Sequence, residues 1–248
     1  MEKISVITPS YNSEKTIEEC IRSVIAQNYR NLEHIVIDDC SSDDSLLIIE
    51  KLASSYPHLR IVRNLKNRGP AEARNRGLEL AKGNLICFLD SDDVWLKNKL
   101  ATQVEIAKLK KYPLICGGYF KFKGDDDSFS IIHKKLIEIS FNKMKYSNWI
   151  YTSSVMVDKR LTGEFKMDQD LYYDDYGCWL VIIRKFGPAY YLPREVFKYR
   201  ITTKSVSRNK LTSAVKTMQV YEKVFKFNLL QKIFYFTFYV LNGIKKSV

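Results

Sequence analysis

The chain has 248 residues, 46% of them hydrophobic and 27% charged, which is the composition of a globular protein with a substantial core. Five scattered cysteines, odd in number and without a CxxC pair, argue against a disulfide framework and against a zinc site. The net charge of +12 lies in the last quarter, because residues 184–248 hold 14 basic and two acidic residues, whereas residues 1–128 hold 19 of each. Such an asymmetry is typical of contact with an anionic partner: nucleic acid, a phosphate-bearing substrate or an acidic membrane surface.

Apolar, β-branched runs alternate with helical patterns in the first half, which predicts a mostly parallel sheet flanked by helices. The N-terminus enters the first strand directly, so we expect no signal peptide and a cytosolic chain. The predicted strands are 4–8, 34–38, 60–64 and 84–90. The predicted helices are 13–28, 42–56, 70–83 and one near 97–111. Ser13 is the predicted cap of the first helix, and Ser41 or Ser42 that of the second.

The second half is less regular. An apolar run at 114–122 is followed by "GDDDS" (124–128), which predicts an exposed turn. Residues 174–188 predict a helix that ends at Gly187-Pro188, and 190–200 predict a strand that leads into a basic loop.

Two predicted strands end in aspartates, in the segments "IVIDD" and "CFLDSDD". In parallel α/β sheets, ligands bind beyond the carboxyl ends of the strands, where loops and helix N-termini meet. Asp90 and Asp92 are two residues apart and project to the same side of an extended segment, where their oxygens can hold one Mg²⁺ or Mn²⁺. This pattern predicts a cation that bridges to the phosphates of a ligand. The alternative is that Asp92 or Asp93 caps a helix beginning near Trp95.

An ordered set of motifs resembles the inverting nucleotide-sugar glycosyltransferases of family 2, which have the GT-A fold. The motifs are "VITPSYN", "IRSVIAQNY", "IVIDDCSSDDS", "NRGPAEARNRGLELAKGNLICFLDSDD", "YYDDYGCWL" and "YRITTKSVS". They extend over about 200 of the 248 residues in the family's order. The resemblance implies an α/β, GT-A-like mixed and mostly parallel sheet with a Rossmann-like nucleotide half.

The resemblance assigns the first two strand ends to the nucleotide base. It implies that Pro9, Tyr11 and Asn12 line the base, with the Tyr11 ring stacked on it. It implies that Asp39 accepts a hydrogen bond from a uracil N–H, since a carboxylate only accepts, and that Asp38 supports Asp39. The alternative for Tyr11 is an ordinary half-buried loop tyrosine.

The resemblance assigns the next stretch to the ribose and the diphosphate. Arg68 and Arg74 match residues that reach toward the nucleotide, and either is alternatively a surface arginine of a helix. Asp90, Ser91 and Asp92 match the D-x-D segment. Asp90 matches the family position near the ribose, and Asp92 matches the metal ligand. Because the two carboxylates project to the same side, both are the expected ligands of a Mn²⁺ or Mg²⁺ cofactor.

The bond that breaks joins the anomeric carbon of the sugar to a diphosphate oxygen, and the negative charge that develops on the diphosphate must be stabilised. The incoming hydroxyl must lose its proton as it attacks that carbon from the opposite face. In the family the base is the second residue of an acidic pair that opens a helix, which here is Asp175 in "YYDDYGCWL". Most relatives have Glu-Asp at this point, whereas this chain has Asp174 before Asp175. N-capping is the alternative role for either aspartate.

The basic loop departs from the family pattern. Many relatives carry a histidine two residues after the arginine of "YRITTKSVS", where this chain has Thr202, so that additional metal or diphosphate ligand is missing. Arg200, Lys204 and Arg208 are expected to neutralise the diphosphate instead, on a loop that closes over the donor. The alternative is that they belong only to the positive surface.

The C-terminal segment 211–248 is predicted to be a basic amphipathic helical segment, rich in aromatic residues, that forms a tail on the α/β domain. Lys216, Gln219, Lys223 and Lys226 fall on one face, and Val220, Val224, Phe227, Leu230 and Phe234 on another. The run 229–241 is shorter than the ~20 apolar residues that span a bilayer, so it is expected to lie on an anionic membrane surface. The alternative is that the helix packs on the catalytic domain or on a second subunit.

We therefore expect a GT-A domain over 1–210, with a nucleotide-binding half (1–95) and an acceptor half (96–210). It is expected to move a sugar from a nucleotide sugar, with UDP the expected nucleotide, to a hydroxyl of a lipid-diphosphate-linked or oligosaccharide acceptor. The implied setting is bacterial surface-polysaccharide synthesis, O-antigen or capsule, at the inner face of the plasma membrane. No nucleic acid is expected as a partner, because no basic-aromatic module accompanies the charge.

Two other classes of function stay open at this point. A nucleotidyltransferase would also use strand-end aspartates with Mg²⁺, but "TPSYNSEKT" lacks the glycines of a triphosphate-binding loop. A non-catalytic membrane-docking module would need neither Asp92 nor Asp175.

Overall fold

The computed structural model describes residues 1–123, 127–134, 136–171, 173–201 and 210–245. The strands are β1 (Ile4–Ser10), β2 (Leu32–Asp38), β3 (Leu59–Arg63), β4 (Leu85–Phe88), β5 (Val94–Trp95), β6 (Leu114–Lys123), β7 (Asp127–Ile131), β8 (Glu138–Ile139), β9 (Met156–Asp158) and β10 (Ala189–Arg200). The described strands form one mixed sheet in the order β3-β2-β1-β4-β9-β6-β10-β5, with β7 paired to β6 and β8 to β10.

The first four strands form the parallel half of this sheet. The register sets Ser10 of β1 opposite Asp38 of β2, so both strands end at the same edge. β9 runs antiparallel to both β4 and β6, while β6 and β10 run parallel to each other. The predicted mixed, mostly parallel α/β sheet is confirmed.

Nine helices lie within the described residues, together with a 3₁₀ turn at Thr152–Ser154. They are α1 (Ile17–Ile25), α2 (Ser45–Ala53), α3 (Pro70–Leu80), α4 (Lys99–Leu109), α5 (Phe141–Met144), α6 (Lys159–Thr162), α7 (Asp174–Phe186), α8 (Lys210–Lys223) and α9 (Leu229–Lys245).

Helices cover both faces of the sheet, because alternate residues of a strand point to opposite faces. Val6 of β1 joins an apolar cluster with residues of α1, α2 and α4. Ile7, the next residue, joins a second cluster with residues of α3 and α7. Burial on both faces accounts for the nearly continuous apolar character of the parallel strands.

The predicted N-caps of the first two helices are wrong. α1 begins at Ile17, and the Ser13 hydroxyl bonds to that of Ser10 (2.7 Å) instead of capping the helix. α2 begins at Ser45, with Asp44 at the N-cap position, and the Ser41 hydroxyl accepts the backbone N–H of Asn12 at 3.0 Å. The Ser13 hydroxyl thus bonds within its own loop and the Ser41 hydroxyl bonds to the loop after the neighbouring strand, and these bonds replace capping of the two helices.

The predicted C-terminal helical tail is confirmed, and it consists of two helices, α8 and α9. The chain turns between α8 and α9, and Lys226 has a left-handed backbone with φ of +56°. The turn stacks the Phe227 ring on those of Phe225 and Tyr235, with centroids 4.9 and 4.6 Å apart. The predicted continuous basic face is therefore wrong, and its first lysine, Lys216, is buried.

α8 packs on the rest of the chain. Val220 and Tyr221 are fully buried, and the Tyr221 hydroxyl donates to the backbone carbonyl of Lys145 at 2.9 Å. Within the described residues no helix combines the length and apolarity needed to cross a membrane. All five cysteines are free thiols, as the sequence predicts. In the predicted turn at 124–128, residues 127 and 128 begin β7 and the first three lie outside the described residues.

Candidate active site

A cavity of about 440 Å³ lies at the carboxyl ends of β1, β2 and β4, and we call it the strand-end cavity. Its lining residues are Pro9, Ser10, Tyr11, Asp39, Asn67, Gly69, Pro70, Ala73, Arg74, Asp90, Ser91 and Asp92. It brings together the predicted donor-binding residues of the first half except Asn12 and Arg68. The location agrees with the general rule for parallel α/β sheets.

A second cavity of about 360 Å³ lies beside the N-terminus of α7, and we call it the helix-end cavity. Its lining residues are Asp90, Asp93, Lys121, Ser147, Asn148, Ile150, Tyr151, Thr152, Ser153, Tyr173, Asp175, Tyr176, Tyr199 and Tyr239. Asp90 lines both cavities. The two cavities are therefore adjacent, and this carboxylate lies between them.

Asp39 lines the strand-end cavity and also anchors the loop that precedes α3. Its buried carboxylate accepts the side-chain amide of Asn64 (2.6 Å) and the backbone N–H groups of Arg68 (3.0 Å) and Gly69 (2.8 Å). The Arg68 N–H reaches both oxygens, so each carboxylate oxygen of Asp39 accepts two contacts. The role of Asp39 in reading a base stays a prediction.

Tyr11 and Asn12 follow β1 but face different surroundings. Tyr11 is 51% exposed and lines the strand-end cavity, where its ring is open for stacking. Asn12 has a left-handed backbone with φ of +47°, and its side-chain oxygen accepts the backbone N–H of Ser42 at 2.9 Å. Asn12 is not among the lining residues of the cavity, and the structure gives it the role of holding the Tyr11 turn against the loop after β2.

The two predicted arginines lie in different places. The Arg68 side chain pairs with Glu72 on the exposed side of α3 (3.3 Å) and lines a separate groove with Arg63 and Arg76. Only the backbone N–H of Arg68 reaches the strand-end cavity, through Asp39. Contact between the Arg68 side chain and a nucleotide-sugar donor stays a prediction, and this arrangement does not support it.

Arg74 is buried and joins two carboxylates from distant parts of the chain. Its guanidinium donates to Asp90 at 2.6 Å and to Asp174 at 3.0 Å. Burial by itself would lower the pKa of Arg74, but the carboxylates of Asp90 and Asp174 raise it overall. The guanidinium therefore stays charged and ties the strand-end segment to the start of α7.

The capping alternative for Asp92 and Asp93 is wrong, because α4 begins only at Lys99 and β5 lies between. Asp93 is buried, and its carboxylate accepts the Ser153 hydroxyl (2.6 Å) and the backbone N–H of Arg200 (3.1 Å). It is a structural residue that holds the D-x-D segment against β10. Burial raises the pKa of Asp93 well above its usual range, and the nearby Asp92 and Asp90 raise it further.

Asp92 is the residue of this segment best suited to a cation. Burial raises the pKa of Asp92 to about 6, and the neighbouring Asp90 adds to the rise. Within the described residues no side chain donates a hydrogen bond to the Asp92 carboxylate, so a divalent cation would compensate its charge. The described residues contain no group of three or more His, Cys, Asp or Glu side chains that could hold a metal. Two carboxylates fit a cation whose other ligands are water and phosphate oxygens, as is typical of Mg²⁺ sites.

The acidic pair at the start of α7 divides into two roles. Neither aspartate occupies the N-cap position, which Tyr173 holds without a side-chain cap bond. Asp174 is buried against Arg74, and burial raises its pKa to about 6. Asp175 lines the helix-end cavity, and its carboxylate accepts the Thr152 hydroxyl at 2.7 Å and the backbone N–H of Tyr176 at 2.6 Å. Burial also raises the pKa of Asp175, as is common for a carboxylate that acts as a base.

Arg200, at the end of β10, contacts the D-x-D segment directly. Its Nε donates to the backbone carbonyl of Asp92 at 2.9 Å, its terminal nitrogen pairs with Glu19, and its guanidinium lies 4.4 Å from the Phe122 ring centroid. These contacts hold the positively charged guanidinium of Arg200 beside Asp92. Lys204, like Thr202 and Arg208, lies outside the described residues.

The sequence reasoning missed Thr152, Ser153 and Tyr239. Ser153 bonds to Asp93 and accepts the backbone N–H of Asp90 (3.1 Å), and Tyr239 of α9 lines the helix-end cavity. The segment "WIYTSSVMV" did carry a signal, because three small hydroxyl residues interrupt an apolar run. No local pattern placed Tyr239, since only the packing of α9 brings it to the cavity.

The family model "Glycosyl transferase family 2" matches residues 5–186. The chain belongs to glycosyl transferase family 2. It is therefore a glycosyltransferase, and both the resemblance and the predicted class of enzyme are confirmed. The match does not support the alternatives of a nucleotidyltransferase or of a non-catalytic docking module.

This glycosyltransferase is 33% identical over 246 residues to an Escherichia coli protein named UDP-Glc:alpha-D-GlcNAc-diphosphoundecaprenol beta-1,3-glucosyltransferase WfgD. The aligned region covers 98% of this chain and 94% of that protein. Solved structures resemble its fold, among them two in complex with a nucleotide sugar. Mannosyltransferase PcManGT from Pyrobaculum calidifontis, in complex with GDP-Man and Mn²⁺, has a TM-score of 0.73 at 20% identity, over 92% of this chain and 65% of that one. S. aureus TarS 1-349, in complex with UDP-GlcNAc, has a TM-score of 0.72 at 21% identity, over 89% of this chain and 64% of that one. These structures confirm the GT-A-like fold, and at such identities they show the fold alone.

Proposed function

We propose that this glycosyltransferase moves a hexose from a UDP-sugar to a hydroxyl of a lipid-diphosphate-linked saccharide, in one displacement that inverts the anomeric carbon. The observation that carries the proposal is the position of Asp90, which lines both the strand-end and the helix-end cavity. The nucleotide diphosphate belongs in the first cavity and the acceptor in the second. The transferred sugar then lies beside Asp90, with the leaving group and the base on opposite sides, as inversion requires.

Asp175 is the proposed base. It is the carboxylate at the start of α7 that faces the helix-end cavity, while Asp174 is bound to Arg74. Its hydrogen bonds from Thr152 and from the backbone N–H of Tyr176 orient the carboxylate and leave lone pairs for the acceptor hydroxyl. The acceptor oxygen attacks the anomeric carbon as its proton passes to Asp175, and the bond from that carbon to the diphosphate oxygen breaks with its electron pair leaving on the diphosphate.

The strand-end cavity supplies groups that fit a nucleoside diphosphate. The exposed Tyr11 ring provides a stacking surface, and Asp39 offers an acceptor that favours a base with an N–H, such as uracil. Arg200 places a positive charge beside Asp92. In this proposal Asp92 and Asp90 hold a Mn²⁺ or Mg²⁺ ion, which when bound offsets the negative charge that develops on the diphosphate.

The acceptor class follows from the E. coli relative and from the charge of the chain. That relative is named for transfer from UDP-Glc to alpha-D-GlcNAc-diphosphoundecaprenol. The basic last quarter suits a diphosphate that is attached to a lipid, since it provides 14 basic residues against two acidic ones. The reaction would then take place at the inner face of the plasma membrane.

A direct test incubates the purified chain and Mn²⁺ with UDP-glucose, UDP-galactose, UDP-GlcNAc or GDP-mannose. The acceptor is α-GlcNAc-diphosphate carrying a short, water-soluble alkyl chain. We expect one UDP-sugar to give a disaccharide product by mass spectrometry, with the opposite anomeric configuration to the donor by NMR. Transfer with retention, or transfer from GDP-mannose and from none of the UDP-sugars, would contradict the proposal.

A further inference from the structure

α9 carries an apolar face that the described part of the chain leaves exposed. Leu230 is 79% exposed, Ile233 and Phe234 are each 54% exposed, and Leu241 is 50% exposed. These positions, with Phe238, recur at intervals of three, four and seven residues, so they form one stripe along the helix. We call this stripe the outer face of α9.

The opposite side of α9 packs on the body of the protein. The Tyr235 ring stacks on Phe227 and meets Tyr146 edge to face at 5.2 Å. Tyr239, one turn further along, lines the helix-end cavity together with Asp175. One side of the helix therefore belongs to the proposed acceptor site. Within the described residues the other side is an exposed apolar surface, and at its edge Phe238 meets the Tyr146 ring.

We infer that the outer face of α9 docks the enzyme on an anionic phospholipid bilayer, with the helix lying parallel to the membrane. The helix has 17 residues and a length of about 26 Å, and Lys232 interrupts its sequence, which suits a helix at the interface and not one that spans the ~30 Å core. Aromatic and aliphatic side chains on such a helix enter the boundary between headgroups and acyl chains.

The charge around α9 selects an anionic surface as the partner. Residues 210–245 contain six lysines and one acidic residue, Glu222; Lys216 is buried, and Lys232 is paired with Glu222 at 2.8 Å. Lys223 and Lys226 are exposed near the turn between the two helices. Anionic headgroups attract these two lysines beside the outer face, whereas a second copy would bring its own exposed lysines near them.

The docking gives the acceptor cavity a defined position relative to the membrane. Because Tyr239 and the outer face belong to the same helix, the helix-end cavity lies about one helix diameter, ~10 Å, from the bound surface. A saccharide attached to a membrane lipid by a diphosphate could then enter that cavity while its lipid stays in the bilayer. This last step rests on the proposed function, whereas the docking itself does not.

Vesicle flotation tests the docking with the full chain. Wild type and the variant Leu230→Glu/Ile233→Glu are mixed with vesicles of phosphatidylglycerol and phosphatidylethanolamine, or with vesicles of phosphatidylcholine alone. We expect the partition coefficient on the anionic vesicles to fall at least tenfold in the variant, because both apolar contacts are lost and two negative charges are added. The matched control, Leu47→Glu/Leu109→Glu, changes two exposed leucines of α2 and α4 and should bind as wild type does.

Two further measurements keep the outcome interpretable. The melting temperature and the affinity for UDP must match wild type in all variants, and Leu230→Trp/Ile233→Trp should retain binding, because tryptophan suits the membrane interface. Equal binding of wild type and the Glu variant, equal loss in the control, or equal binding to phosphatidylcholine would overturn the inference. A wild-type dimer that the Glu variant converts to a monomer would also overturn it, since the face would then join two copies.

Activity assays separate this inference from the proposed function. With the water-soluble acceptor, the Glu variant should match wild type within about twofold, whereas with a long-chain lipid acceptor in anionic vesicles its rate should fall at least tenfold. If wild type transfers no sugar to the soluble acceptor, the proposed function fails while flotation still decides the docking.

Discussion

Arg74 is the residue that holds the two parts of the site together. It comes from α3, yet it binds Asp90 after β4 and also Asp174, which lies one hundred residues further along the chain at the start of α7. The sequence pattern identified Arg74 only as a residue near the nucleotide. Its bridging role depends on the packing of α7 against the sheet, which no local pattern contains.

Asp175→Asn should lower the rate of transfer by about 10²–10⁴-fold, because an amide cannot take the proton of the acceptor hydroxyl. Burial raises the pKa of Asp175, so the wild-type rate should be lost on acidification at a pH above the ordinary ~3.9 of an aspartate. Initial rates of both proteins from pH 4 to 8 measure both effects. The affinity for UDP, measured by calorimetry, shows whether binding of the nucleotide is unchanged in the variant. Asp44→Asn, at an exposed aspartate before α2, is the control, and a nearly unchanged rate in Asp175→Asn would show that the base lies elsewhere.

Asp92→Asn should alter both the pH dependence of stability and the response to Mn²⁺. The pKa of Asp92 is about 6 in the folded chain and ~3.9 in an unfolded chain. The folded state therefore binds more protons between these values, and Asp92 makes the free energy of unfolding fall as pH rises from about 4 to about 6. Urea unfolding across this range should show a smaller fall in the variant.

The same variant tests the proposed cation. Mn²⁺ together with UDP should raise the melting temperature of wild type at pH 7.5 and leave that of Asp92→Asn nearly unchanged, because binding to the folded state alone stabilises it. An equal rise in both proteins would place the cation away from Asp92.

At the scale of elements, α3 lies unusually close to β1. A Cβ at Gly77 would come within 2.4 Å of the Cγ2 of the buried Ile7. Gly77→Ala should therefore lower the free energy of unfolding by about 1–3 kcal/mol through overpacking, although alanine favours a helix by ~1 kcal/mol. Denaturant unfolding measures the loss. Glu79→Ala on the exposed side of the same helix should change stability by less than ~0.5 kcal/mol, and an equal effect of both substitutions would argue against the close contact.

The types of the elements followed from sequence, whereas several of their ends did not. The alternation of apolar strands and amphipathic helices predicted β1 to β4 and α1 to α4 in order, because burial of the sheet on both faces leaves a strong periodic pattern. The N-caps were misplaced because the Ser13 hydroxyl bonds to Ser10 at the end of β1, and the Ser41 hydroxyl bonds to Asn12 in the neighbouring loop. The second of these bonds depends on which strands lie side by side.

At the scale of the whole molecule, the C-terminal helices belong to the packed structure. Tyr221 is fully buried and bonds to the backbone of Lys145. Tyr221→Ala should lower the free energy of unfolding by about 3–5 kcal/mol, measured by urea titration. Leu230→Ala, at an exposed position of α9, should change it by less than ~0.5 kcal/mol. A small effect of Tyr221→Ala would mean that α8 contributes little to the fold.

The sequence by itself determined the class of sheet, the acidic strand ends and the family, because burial and the chemistry of the site leave local patterns along the chain. The resemblance to the family also gave Asp175 as the candidate base, and this role stays a prediction. Only the tertiary structure decided that the Arg68 side chain pairs with Glu72 and lines a separate groove, and that Asp90 lies between two cavities. It also decided that Tyr239 from the tail completes the second cavity. These relations join residues that are far apart in sequence, and packing alone brings them together.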